Sequence, residues 1–225
     1  MIFLIGNLKG GVGKTTLAVN LAITLSNSHR DVLLIDAEGS ALSLTELRAN
    51  ARGTAGYTAV NLQGANIRTQ ARQLTHKYSD IVIDIGGEDA TGSLRAALTV
   101  ADTVLVPVKP RTLDLWRTRQ TAELIIEARE INDNLRAIAV LNEADPAGQD
   151  NQETLDALAE IPTYEIAPVT LGRRKAFPNA LAAGLSVLEY NQDPKATDEM
   201  CQLFKFLASY TVNTSDIGET SYGNR

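Results

Sequence analysis

The chain has 225 residues and a formal net charge of −6 at pH 7, and 44% of its residues are hydrophobic. This balance suits an α/β domain and disfavours a broad nucleic-acid-binding face, but it allows a local basic patch or one assembled by dimerisation. No apolar run reaches the roughly 18 residues that span a membrane, and we expect no secretory signal because the first apolar run reads as a strand. Cys201 is the only cysteine, which excludes an intrachain disulfide framework. We expect a cytoplasmic protein.

The N-terminal segment predicts a strand, a glycine-rich turn and a helix in direct succession. Residues 1–5 are an apolar run typical of a buried strand, and Leu17, Leu21 and Leu25 recur at helical spacing. Between them, residues 9–16 read Lys-Gly-Gly-Val-Gly-Lys-Thr-Thr. Glycines let backbone N–H groups approach an anion, and the free N–H groups at the helix start add to the same site. This order predicts a phosphate-binding loop rather than a turn without a ligand.

Positions within this loop have separate predicted tasks. Lys14 is placed to reach the β- and γ-phosphates of a nucleotide, and the Thr15 hydroxyl is placed to bind Mg²⁺. Thr16 is expected to contact the α-phosphate. The residues expected to surround the phosphates are Lys9, Gly10, Gly11, Val12, Gly13, Lys14, Thr15 and Thr16.

Further along the chain, apolar runs alternate with helical patterns. Predicted strands cover residues 32–36, 56–62, 81–84, 103–106, 137–141 and 164–166, and Pro107 is expected to end the fourth of these. Predicted helices cover residues 42–51, 67–77, 113–132, 150–160, 173–183 and 195–210. Most strands are continuous apolar runs, which is typical of a mostly parallel sheet with helices on both faces. We predict one α/β domain over residues 1–210 and a flexible polar tail over 211–225.

A second phosphate-site signal lies in the strand over residues 81–84. Three β-branched residues end in Asp84, which is typical of a Walker B strand, whereas the alternative is an ordinary strand that ends in a turn. Gly87 follows closely and would let the backbone approach a γ-phosphate. Because ligands bind at the carboxyl ends of such strands, we expect Asp84 near the loop.

The head of the loop departs from the strict Walker A pattern. That pattern requires glycine where this chain has Leu8, and the chain has a second lysine, Lys9, at the next position. This deviant form resembles the ParA/MinD family of dimerising ATPases, and the likeness extends over about residues 1–210. It is most similar to small plasmid-type ParA proteins. The resemblance implies a P-loop NTPase fold, ATP and Mg²⁺ as cofactors, and a homodimer in which Lys9 reaches the partner subunit's nucleotide.

The same resemblance implies roles for three acidic residues. Where the family usually has Asp-x-Asp followed by Pro-Gln-Gly, this chain has Asp36-Ala37-Glu38-Gly39-Ser40. Asp36 and Asp84 are then expected beside the Mg²⁺ ion. Glu38 stands in the place of the acid that positions or activates the attacking water, although it is one methylene longer. The implied catalytic residues are Lys9, Lys14, Asp36 and Glu38.

Asn142 follows a predicted strand and resembles the family's adenine contact. Its side-chain amide both donates and accepts hydrogen bonds, as a base edge requires. Glu143 stands where a guanine-reading motif would have lysine, so ATP is favoured over GTP. The alternative for Asn142 is a turn-forming residue after a strand.

Family members that bind DNA do so as ATP-bound dimers, and a ParB-like or cargo adaptor protein stimulates hydrolysis. The densest basic cluster here is Arg173, Arg174 and Lys175, which we expect to contact nonspecific DNA and to place the protein on the nucleoid. Solvated helix faces are the alternative for these residues. A second cluster of arginines at positions 111, 117 and 119 surrounds Trp116, which would also suit a protein interface.

Other members of the family act elsewhere in the cell. A basic amphipathic C-terminal helix binds membranes in MinD-like proteins, but Arg225 is the only basic residue after Tyr210 here. We therefore expect the apolar face formed by Met200, Leu203, Phe204 and Leu207 to pack in the core. An accessory ATPase of DNA transfer would share all the nucleotide chemistry. A metallocluster ATPase would need a cysteine pair near the dimer interface.

Overall fold

A computed structural model describes residues 1–86, 90–110, 115–145 and 148–209. The strands in these ranges are β1 (Ile2–Ile5), β2 (Val32–Asp36), β3 (Thr58–Asn61), β4 (Asp80–Asp84), β5 (Thr103–Val108), β6 (Arg136–Leu141) and β7 (Glu165–Ile166). They form one sheet in the order β3-β2-β4-β1-β5-β6-β7. Every adjacent pair of strands is parallel. The predicted α/β fold with a parallel sheet is confirmed.

Helices cover both faces of this sheet. They are α1 (Lys14–Asn27), α2 (Ser40–Arg52), α3 (Ala65–Leu74), α4 (Ala90–Leu98), α5 (Leu115–Arg129), α6 (Asp150–Ala159), α7 (Ala176–Ala182), α8 (Val187–Tyr190) and α9 (Pro194–Ala208). Apolar side chains of α3 to α6 belong to one core cluster, and those of α1, α2 and α7 to α9 belong to the other. The sheet is therefore the middle of three layers.

The strands are continuous apolar runs because both of their faces are buried. In β1, Ile2 and Leu4 point into one core cluster, whereas Phe3 and Ile5 point into the other. Successive side chains of a strand point to opposite faces, so no position in such a strand meets water. The pattern that predicted a parallel sheet has this arrangement as its physical cause.

The expected strand end at Pro107 is wrong, because β5 continues through Pro107 to Val108. A proline has no N–H to donate and is usually confined to strand edges. Here β5 pairs with β1 only up to Leu105, and the Pro107 carbonyl accepts a hydrogen bond from the Asn7 side chain at 3.0 Å. The Pro107 nitrogen therefore faces the side of β5 where β1 has already ended. The sheet loses no hydrogen bond through the absence of an N–H group there.

The region after β7 also differs from the prediction. Gly172 forms a parallel bridge with Ala144, and the Arg173 N–H donates to the Ala144 carbonyl at 2.8 Å. These long-range bonds keep the chain extended, so α7 begins at Ala176 rather than at residue 173. The sequence did not predict α4, or the four-residue α8, which is held by a capping box between Ser186 and Glu189.

An ion pair between the buried Arg48 and the partly buried Glu189 fixes α2 against the C-terminal part of the chain. The Arg48 guanidinium donates two hydrogen bonds to Glu189, at 2.8 and 2.9 Å, and one to the Gly184 carbonyl at 2.7 Å. Burial acts to raise the pKa of Glu189, but hydrogen bonds from Arg48, Asn27 and the Ser186 backbone outweigh it and lower that pKa. The pair therefore joins α2, which directly follows the Asp36 loop, to α8.

The last helix packs as the sequence predicts. Met200, Leu203 and Leu207 are buried in the core, and Phe204 packs partly buried against the same cluster. Among the described residues, no helix has the length and apolar character needed to cross a membrane. The predictions for Gly87, Arg111 and the tail over residues 211–225 lie outside the described residues.

Candidate nucleotide-binding site

The phosphate-loop candidate lies at the carboxyl end of the central strand. The chain leaves β1 toward β2, β3 and β4 on one side and returns to β5, β6 and β7 on the other. In open parallel sheets, ligands bind in the crevice where the strand order reverses in this way. Gly11 and Gly13 have φ angles of 69° and 90°, which side chains disfavour. Glycine at these positions therefore gives the loop its shape.

Lys14 already points back over this loop. Its ammonium Nζ donates to the Lys9 carbonyl at 2.9 Å, and its side chain is buried. Burial lowers the pKa of Lys14, whereas the nearby carboxyl groups of Asp84 and Glu38 raise it. The lysine that is predicted to hold phosphates is thus surrounded by the predicted acids.

Asn7 fixes the head of the loop, and our sequence reasoning missed it. Its Oδ1 accepts from the Lys9 backbone N–H at 3.0 Å, and its Nδ2 donates to the Pro107 carbonyl. Thr121 in α5 donates to the same Oδ1 at 3.3 Å and accepts from the Leu8 N–H at 3.1 Å. A polar residue two positions after the first strand is the only signal the sequence carried. Lys9 is consequently held by contacts from β5 and α5.

Asn142 supports the loop from the end of β6, which lies two strands away from β1 in the sheet. Its Nδ2 donates to the Val12 carbonyl at 2.8 Å, and the side chain is buried. A Cβ atom added to Gly13 would lie 2.4 Å from that nitrogen, so the glycine lets the amide come close. The sequence predicted a contact with adenine. The structure adds a contact with the loop itself, and the amide oxygen is a second hydrogen-bonding group.

Asp84 ends β4 beside the loop, and its carboxylate is fully buried. Within the described ranges, neither of its oxygens has a hydrogen-bond partner. The pKa of Asp84 is raised to about 7, mainly by burial; Asp36 and Glu38 also raise it, whereas the Thr15 hydroxyl and Lys14 lower it. The Thr15 hydroxyl is thus a close neighbour without a hydrogen bond of good geometry. A buried acid with no partner is rare enough to require an explanation.

Asp36 ends the adjacent strand and has a different environment. Its Oδ1 accepts from the Glu38 and Gly39 N–H groups, and its Oδ2 accepts from the Leu42 N–H, each at 2.8 Å. These bonds fold the loop after β2 around the carboxylate and start α2. Asp36 therefore shapes the backbone that carries Glu38, in addition to lying next to Asp84 in the strand register.

Thr15, Asp36 and Asp84 fit the predicted Mg²⁺ site in their chemistry. No three His, Cys, Asp or Glu side chains are grouped as a metal site in the parts of the chain that the structure describes. Protein sites for Mg²⁺ commonly use only one or two carboxylates, with substrate phosphates and water as the other ligands. The unpartnered Asp84 oxygens are the groups that such an ion would satisfy. These three side chains therefore suit an ion that is bound together with a nucleotide.

The basic cluster is divided in the folded chain. Arg174 donates two hydrogen bonds to Glu199 and lies 3.8 Å from Asp193, and these contacts raise its pKa. It therefore joins the segment before α7 to α9. Arg173 and Lys175 on either side of it are exposed. The sequence placed all three together, but the structure leaves two of them on the surface.

Comparisons with known proteins agree with this geometry. A family model described as the CobQ/CobB/MinD/ParA nucleotide binding domain matches residues 3–187. The chain belongs to this family. The ParA/MinD resemblance noted in the sequence is thereby confirmed, and the chain is an ATPase domain of the ParA/MinD type.

Individual relatives show how far this family likeness extends. The chain is 30% identical over 208 residues to the maintenance of carboxysome distribution protein A of Halothiobacillus neapolitanus, covering 88% of this chain and 92% of that one. Apo McdA from Cyanothece has the same fold, with a TM-score of 0.74 at 19% identity, covering 92% and 98% of the two chains. MinD from Pyrococcus horikoshii in complex with Mg-ADP gives 0.74 at 16% identity, covering 94% and 97%.

Proposed function

We propose that this ParA/MinD-type chain is a positioning ATPase that acts in DNA partition or in the distribution of a protein cargo. ATP binding drives formation of a homodimer, which binds nonspecific DNA on the nucleoid. A ParB-like or cargo adaptor protein stimulates slow hydrolysis and releases the dimer. The likeness to a carboxysome-distribution protein over most of both chains supports this proposal.

The observation that carries the proposal is the buried Asp84 carboxylate beside Lys14 and Thr15. Lys14 and the loop N–H groups neutralise and orient the phosphates, and Thr15, Asp36 and Asp84 would hold Mg²⁺. That ion, when bound, neutralises charge on the phosphates. Asn142 contacts adenine while it supports Val12. Glu38 orients the attacking water, so that positioning and charge neutralisation provide most of the rate.

Lys9 connects hydrolysis to dimer formation. Its backbone is fixed at the head of the loop by Asn7, and its carbonyl holds Lys14. The side chain of Lys9 then extends from a rigid base toward the partner subunit's nucleotide. Since a second positive charge arrives only in the dimer, turnover depends on association.

Arg173 and Lys175 are the residues we propose for DNA contact. Both are exposed and flank Arg174, whose guanidinium is held by Glu199. The two chains of a dimer would double the number of phosphate contacts, so that a local basic patch binds DNA although each chain has a net negative charge. A membrane-associated function is the weaker candidate, because α9 uses its apolar face in the core.

Sedimentation with Mg²⁺ and a nonhydrolysable ATP analogue tests this function, with and without duplex DNA. We expect an analogue-dependent dimer that joins DNA and leaves it as salt rises. Lys14→Ala should remove nucleotide binding, whereas Lys9→Ala should bind nucleotide as a monomer. Paired Ala substitutions at Arg173 and Lys175 should remove DNA binding but not dimerisation. The same substitutions at Arg68 and Arg72, exposed in α3, serve as the charge-matched control. A chain that stays monomeric under all conditions would refute the proposal.

A further inference from the structure

Glu38 lies against the end of β4, where the next residue but one after Asp84 is Gly86. The Glu38 backbone N–H donates to Asp36, which fixes the backbone at this residue. The direction of the Glu38 side chain is then set by the atoms around it. A Cβ atom built on Gly86 would lie 1.9 Å from the Glu38 Oε2, 2.9 Å from its Cδ and 3.1 Å from its Cβ. The first two distances are shorter than any real contact of a Cβ atom. The present position of the Glu38 carboxylate therefore requires glycine at residue 86.

Among the described residues, Glu38 is the nearest neighbour of a side chain added at this position. The three nearest heavy atoms to the added Cβ all belong to Glu38. Gly86 is also absent from the residues with positive φ, so its backbone accepts an alanine without strain. Alanine at this position would act mainly by pushing the Glu38 side chain away. Because that side chain is exposed and flexible, the displacement would leave the fold intact.

The displaced group matters because of its electrostatic neighbours. The Glu38 carboxylate raises the pKa of Lys14 and adds to the rise at Asp84. It thus lies within range of both the phosphate-binding lysine and the buried acid. In an aspartate the Cβ contact at 3.1 Å would remain, but the Cδ and Oε2 atoms that make the two shorter contacts would be absent. The length of Glu38 and the absence of a side chain at Gly86 therefore match.

We propose that Gly86 is a positioning residue for Glu38, and that the two form a matched pair across the ends of β2 and β4. This inference rests on the proposed function, in which Glu38 orients the attacking water. The glycine provides the space that lets a glutamate lie over the end of β4. An alanine would leave Glu38 chemically intact but misplaced.

A four-variant cycle tests this pairing by single-turnover hydrolysis, with protein in excess over labelled ATP. Gly86→Ala should slow hydrolysis by about tenfold to a hundredfold, since a shift of an ångström in a reacting group has costs of this order. In the Glu38→Asp background the same change should cost less than about threefold, because the two Glu38 atoms nearest to the added methyl group, Oε2 and Cδ, are absent from aspartate. Gly92→Ala is the matched control, since a Cβ there meets no atom within 4 Å. Equal losses in both backgrounds, or no loss in either, would overturn the pairing.

Affinity for a nonhydrolysable ATP analogue gives a second readout that needs no turnover. Glu38→Gln removes a negative charge near Lys14 and should tighten binding of the analogue by about threefold, with a smaller effect on ADP. Gly86→Ala should shift affinity in the same direction, and should add nothing when Glu38 is already Gln. An added effect in that double variant would overturn the pairing. A wild-type chain that binds the analogue but never hydrolyses ATP would instead refute the proposed function, and the affinity cycle would still decide the pairing.

Discussion

Replacing Asp84 with Asn should change how the stability of the nucleotide-free protein depends on pH. In the folded chain the Asp84 carboxyl is buried without a partner, and its pKa is raised to about 7 from an ordinary value of 3.8. The folded state therefore holds a proton that the unfolded state releases. Stability from this group is complete below pH 3.8 and is lost as pH rises toward 7.

The magnitude follows from the size of the pKa change. Each unit is worth about 1.4 kcal/mol, so Asp84 should make the wild type about 2 to 3 kcal/mol less stable at pH 8 than at pH 5. Asn carries no charge, and the variant should lack this loss. In the absence of Mg²⁺ and nucleotide, it should also be the more stable protein at pH 8.

Urea denaturation at pH 5 and pH 8 in EDTA measures the effect. The quantity of interest is the difference between wild type and variant in their pH dependence, because the titration of groups distant from Asp84 then cancels. Asp133→Asn, at an exposed position, is the control and should leave the dependence unchanged. Parallel pH profiles for wild type and Asp84→Asn would show that Asp84 is ionised in the folded chain without cost, and the reasoning about its unpartnered oxygens would fail.

Three other changes test separate parts of the structure. Asn142→Ala should weaken the binding of ADP and GDP by similar factors if the bond to Val12 dominates, and should weaken only ADP binding if the adenine contact dominates. Isothermal titration calorimetry distinguishes the two, and unchanged affinity for both nucleotides would refute each role. Arg48→Ala should lower the free energy of unfolding by about 3 kcal/mol, because Glu189 loses the partner that holds its charge. Since the pKa of Glu189 is lowered in the fold, this contribution should be present above pH 4.5 and fade as pH falls through the lower folded value. Met200→Ala should cost about 2 to 5 kcal/mol in urea denaturation, as expected for a core residue; a neutral effect would mean that α9 is not packed as described.

The sequence alone determined the fold class and the phosphate loop. Continuous apolar strands are typical of parallel sheets with helices on both faces, and so they predicted the parallel architecture before any strand was paired. The loop was equally evident, since glycines, lysine and threonine at fixed spacing between a strand and a helix are all local features. Asp36 and Asp84 were recognisable as candidate site residues because each ends an apolar strand.

The tertiary structure decided every feature that depends on distant residues. Asn7 and Thr121 are separated by more than a hundred positions, yet together they fix the backbone on which Lys9 stands. Pro107 lies inside a central strand because its neighbour β1 ends early, and the extended segment before α7 is held by Ala144. The space at Gly86 is visible only once β2 and β4 lie side by side. Local patterns report which faces are buried, but side-chain partners are set by which strand ends the fold brings together.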